Sequence, residues 1–89
     1  MVNEEVPLSR ELIVDLRSVA EEALRLLPGK VNDHVTVIQA YLQLISASPD
    51  KMEYVTSLRK TVVALADVAE MYHQAEFTER LDSLIRRMQ

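Results

Sequence analysis

His34 and His73 are the only imidazoles in an 89-residue chain that has no cysteine. An imidazole can hold a metal, relay a proton or accept a phosphoryl group. Without thiols, a disulfide framework and thiolate metal sites are excluded. His73 closes one Glu-x-x-His stretch, Glu70-Met71-Tyr72-His73. Di-iron carboxylate bundles need two such copies and two further glutamates, so one copy defines no metal centre and no cofactor is expected. His34 sits between Asp33 and Val35 in the gap of an apolar stripe. That position suits a partly exposed structural histidine, with a phosphoacceptor role as the alternative. No Ser/His/Asp order or paired-carboxylate site stands out, and the chain is not expected to be an enzyme.

The elements that must position these residues are helices. One glycine cannot supply the positive-φ turns of a β-sandwich or a Gly-rich nucleotide fold. Ser9 is a candidate helix cap with Glu11 and Asp15 just inside. Leu12, Leu16, Val19, Ala23 and Leu26 then recur at three-four spacing, flanked by Ile13, Ala20, Leu24 and Leu27. Pro28-Gly29 interrupts that pattern, by a kink or by a stop and restart. Val31, Val35, Ile38, Leu42 and Ile45 continue it beside a second row of Val37, Tyr41 and Leu44. The stretch Ser46-Ala47-Ser48-Pro49-Asp50 is a turn. Val55, Leu58, Val62, Leu65, Ala69 and Tyr72 follow, and after a phase shift near residues 73–76 come Phe77, Leu81, Leu84 and Met88.

These rows predict an all-α fold in a single domain over residues 1–89. Its expected form is an antiparallel hairpin of two long helices, about 9–47 and 50–88, kinked or broken near Pro28-Gly29 and near residue 75. Each helix of about 39 residues would span roughly 58 Å. Four shorter helices, broken at 28–29 and 75–78, are the alternative. A hairpin cannot cover two apolar rows on each helix, so a homodimer completing a four-helix bundle is expected. Its core would comprise Val31, Val35, Ile38, Leu42, Ile45, Val55, Leu58, Val62 and Leu65. A compact monomeric bundle is the competing architecture. In the hairpin, His34 and His73 would stand roughly 13 Å apart along the axis, too far to share a metal.

Ten basic against fourteen acidic residues give a net charge of −4, a poor match for duplex nucleic acid. The basic excess of Arg80, Arg86 and Arg87 suits the negative end of a helix dipole. No apolar run reaches the roughly 18 residues needed to cross a bilayer. The N-terminus has neither the basic nor the apolar region of a signal peptide, and a cytoplasmic location is expected.

Residues 29–45, GKVNDHVTVIQAYLQLI, resemble the helix that carries the reactive histidine in histidine-kinase dimerisation domains and sporulation-type phosphotransferases. Val35-Thr36-Val37-Ile38, with Tyr41 and Leu44, matches the tail of that family's motif, and Asn32-Asp33 falls where it often has a polar pair. The resemblance implies dimeric helical hairpins and a kinase or response regulator as partner. At the phosphoacceptor position this chain has Gly29, and beside it Lys30 replaces the acid. Glycine has no nucleophile, and lysine cannot take the proton a carboxylate would accept. The resemblance therefore implies a non-catalytic interaction or regulatory module that keeps the scaffold. Lys30, Asn32, Asp33 and His34, beside the helix break, are the candidate partner contacts. The alternatives are phosphotransfer through His34 and a structural dimer unrelated to signalling.

Overall fold

The computed structural model describes residues 8–88 and shows four helices: α1 (Arg10–Leu26), α2 (Asn32–Ala47), α3 (Met52–Met71) and α4 (Ala75–Arg87). Each boundary has a local cause. The Ser9 hydroxyl accepts a hydrogen bond from the Leu12 amide at 3.1 Å, and Glu11 lies in the first turn of α1, which satisfies an orphan donor and suits the helix dipole. The Leu27 amide still donates to the Ala23 carbonyl at 2.8 Å. Pro28 has no amide to continue the ladder, and Gly29 turns the chain at φ +76°. The Lys30 amide closes that turn on the Leu27 carbonyl at 3.0 Å. At the end of α2, the Ser48 amide caps the Leu44 carbonyl at 2.8 Å before Pro49.

The stop between α3 and α4 is less conspicuous in sequence. The His73 amide donates to the Glu70 carbonyl at 3.0 Å and the Gln74 amide to the Ala69 carbonyl at 2.9 Å. These two bonds form a Schellman motif, whose left-handed residue is usually glycine. Here it is His73, at φ 64°.

The helices touch in a closed ring, α1 to α2 to α3 to α4 and back to α1. Arg80 pairs with Glu22, and Arg87 with Asp15, so α1 and α4 run antiparallel. Tyr41 of α2 packs on Tyr54 of α3 with ring centroids 6.1 Å apart, and the first turns of α1 share a groove with Ile45, Ser46 and Pro49. The chain is an up-down-up-down bundle.

The structure bears on two expectations. The long helices 9–47 and 50–88 are each divided, at 27–31 and 72–74, and the longest dimension is 43 Å, against roughly 58 Å for the extended hairpin. The four-helix alternative describes the chain better, with its second break slightly earlier than 75–78. The residues assigned to a dimer core, Val31, Val35, Ile38, Leu42, Ile45, Val55, Leu58, Val62 and Leu65, are each at most 3% exposed within one chain. Within one chain these rows are covered by α1 and α4, which close the ring around the α2–α3 pair.

Leu12, Leu16, Val19, Ala20, Ala23 and Leu27 supply the α1 side of the core, and Phe77, Leu81, Leu84 and Met88 the α4 side. Leu24 and Leu26 of α1 and Tyr72 after α3, expected in the apolar rows, lie exposed. No helix among the described residues is long and apolar enough to cross a membrane.

Candidate interaction site

Asn32 and Asp33 open α2 and are exposed, while Val31, immediately before them, is fully buried. The buried anchor fixes the direction in which the helix leaves the turn. One residue further, His34 begins a row of His34, Val37, Tyr41 and Leu44, each one position before a buried Val35, Ile38, Leu42 or Ile45. This row forms the flank of α2 that leans on α3. On α3 the corresponding flank is Tyr54, Ser57, Thr61, Ala64 and Val68, each again one position before a core residue. Between the flanks lies an open groove of about 340 Å³, lined by Asp33, His34, Val37, Lys60, Thr61 and Ala64.

The imidazole is the chemically notable member of this groove. Nδ1 of His34 is buried and has no hydrogen-bond partner, the only such side-chain nitrogen or oxygen among the described residues. Buried polar atoms are normally paired, and one left unpaired costs about 1–3 kcal/mol. The neighbouring Thr61 hydroxyl donates to the Ser57 carbonyl at 3.0 Å, so its proton is already engaged. Asp33 and Lys60 put one charge of each sign on the lining, and Val37 and Ala64 supply apolar walls. The arrangement suits recognition of an incoming side chain with a polar tip and an apolar stem.

The four candidate contacts from sequence are only partly united. Asp33 and His34 line the groove. Lys30 turns toward the end of the bundle, its Nζ 5.5 Å from the centroid of the Tyr72 ring, a cation–π contact. Asn32 is exposed at the start of α2 and does not line the groove. Sequence reasoning missed Lys60, Thr61 and Ala64. The three-four flank of α3 was present in the sequence, but its register against α2 was not.

Gly29 lies in the turn before α2, so residues 29–31 of the resembling segment precede the helix. A Cβ at Gly29 would meet nothing within 4 Å. Its glycine is required by the positive φ, not by crowding. The Glu70–His73 pair is likewise taken out of helical register, because α3 stops at Met71 and His73 adopts the left-handed conformation. Among the described residues no three histidine, aspartate or glutamate side chains gather as a metal site.

Comparison of the chain with protein-family models, with curated proteins and with solved structures finds no match.

Proposed function

We propose that the chain is a non-catalytic protein-interaction module that receives its partner in the α2–α3 groove beginning at Asp33 and His34. The observation that carries this reading is the open groove between α2 and α3, where Asp33 and Lys60 set one charge of each sign beside the apolar walls of Val37 and Ala64. A side chain entering there can pair with the Asp33 or Lys60 charge while its stem lies on Val37 and Ala64. The absence of catalysis is supported by Gly29, which offers no nucleophile where the resembling family holds its reactive histidine. The partner class is the one that the residue pattern of 29–45 implies, a two-component kinase or response regulator, and a cytoplasmic location goes with it.

A titration of isotope-labelled protein with isolated kinase and response-regulator domains tests this. Amide shifts are expected at Asp33, His34, Val37, Lys60 and Thr61. Lys60→Glu should weaken binding at least about fivefold, the size of a single charge-assisted hydrogen bond. Shifts confined to α1 and α4, or no binding across the set, would overturn the reading.

A further inference from the structure

Asp15, Ser18 and Glu22 stand three and four residues apart on α1, and Arg80, Ser83 and Arg87 repeat the interval on α4. Because the two helices are antiparallel, these rows meet as a ladder across the seam. Its outer rungs are the ion pairs Arg87–Asp15 and Arg80–Glu22. The middle rung is serine against serine, too short to fill the space. A gap of about 250 Å³ lies there, lined by both serines and by Asp15, Arg80 and Arg87. Ser83 is exposed, and it is the only one of the chain's ten serines and threonines with a basic residue three positions before it. All three arginines of α4 lie within about one turn of it, Arg80 three before, Arg86 three after and Arg87 four after. Arg80 and Arg87 reach across the seam through Nη1, which leaves Nε and Nη2 of each guanidinium to serve another acceptor.

We infer that Ser83 is a phosphorylation site whose phosphate fills the middle rung of the α1–α4 seam, between Arg80 and Arg87. The donor is a nucleoside triphosphate, used by a serine/threonine kinase that reads the arginine three residues before the acceptor. Ser83 Oγ bonds to the γ-phosphorus as the bond to the bridging oxygen breaks. Nucleoside diphosphate leaves, and the hydroxyl proton passes to the base of the kinase. The product is an acid-stable monoester. It carries about −1.5 to −2 charge and three acceptor oxygens, a match for the forked donors of arginine. The arginines that meet it stand on its own helix, so no backbone has to move. Ser18 is the poorer acceptor, because its own helix places Asp15 and Glu22 one turn to either side. Glu79 and Asp82 lie near Ser83 in sequence but do not line the gap. Asp15 does, and the phosphate competes with it for Arg87 and with Glu22 for Arg80. Modification therefore exchanges the pairs across the seam for pairs within α4.

Incubation of the intact chain with magnesium ATP and a serine/threonine kinase that selects arginine three residues before its acceptor tests the inference. A single acid-stable phosphate on Ser83 is expected by tandem mass spectrometry, and Arg80→Gln should slow its formation at least about tenfold. Phosphate on Ser18 or another hydroxyl instead, or none at all, overturns the inference. A chain carrying phosphoserine at position 83, introduced during synthesis, shows whether the seam holds the group. Phosphorus NMR reads its second ionisation, which lies near pH 6 for an unperturbed phosphoserine. Guanidinium groups beside the phosphate favour the dianion, so the midpoint should fall at least about half a pH unit lower. The double variant Arg80→Gln/Arg87→Gln, at two exposed positions, should return it to about 6. Circular dichroism checks that the bundle is retained. Equal midpoints in the two chains would mean that the arginines do not hold the phosphate, and would overturn the inference.

Discussion

The Arg87 guanidinium donates a hydrogen bond to the Asp15 carboxylate at 3.1 Å, joining the first and last helices of one chain. With Arg80 and Glu22, one side-chain pair lies toward each end of the seam that closes the ring. Between them are the small side chains Ser18 and Ser83. Both partners of the Arg87–Asp15 pair are well exposed, at 42% and 48%. Exposed pairs of this kind contribute about 0–1 kcal/mol and weaken in salt.

Asp15→Asn is therefore expected to cost less than about 1 kcal/mol, whereas Leu84→Ala on the buried side of the same seam should cost about 2–5 kcal/mol. Urea unfolding of the two variants gives the comparison. A larger loss from Asp15→Asn would mean that the ion pairs, not the apolar contacts, hold α1 to α4.

His73 occupies a left-handed position that glycine fills without strain. His73→Gly should relieve about 1 kcal/mol of backbone strain, less the added entropy of the unfolded glycine. For a domain of this size the melting temperature should rise by a few degrees. A fall would show that the His73 side chain makes a contact worth more than the strain.

At Gly29 the same physics predicts the opposite change. Gly29→Ala should destabilise by about 1 kcal/mol, despite the empty space around its Cβ. Gly29→His should be at least as costly. It would also leave the histidine in a turn, so the substitution should not create a phosphoacceptor. Thermal melts and exposure to a phospho-donor check the two halves of this prediction.

Ile38→Ala should cost about 2–5 kcal/mol, since Ile38 is fully buried in the single chain. At low micromolar protein its unfolding midpoint should not depend on concentration, because the side chains packed on Ile38 belong to the same molecule. A concentration-dependent midpoint there would restore Ile38 to an interface between chains.

Most of the core was legible in the three-four spacing. Leu12, Leu16, Val19 and Ala23, the row from Val35 to Ile45 and the row from Val55 to Leu65 are buried as that spacing requires. The turn at Ser48-Pro49 was legible from its residue types. The break at His73 was less so, because the Schellman turn formed without a glycine or proline to mark it. Nor could the spacing say which chain would cover the apolar rows. Periodicity shows that a face is buried, and a folded-back α1 satisfies it as well as a second molecule does. The groove was half visible. Asp33 and His34 were singled out from α2 alone, while Lys60 and Thr61 joined them only through the register in which α3 lies against α2.

Scaffold and phosphoryl carrier are separated by exposing the intact chain to phosphorylated response regulator and to active histidine kinase. Phosphorus NMR and mass spectrometry under alkaline conditions then read the product. A non-catalytic module should remain unphosphorylated, while its amide spectrum changes along Asp33, His34, Val37 and Thr61. An acid-labile phosphate on the chain that disappears in His34→Gln would contradict this and make the histidine a phosphoryl carrier.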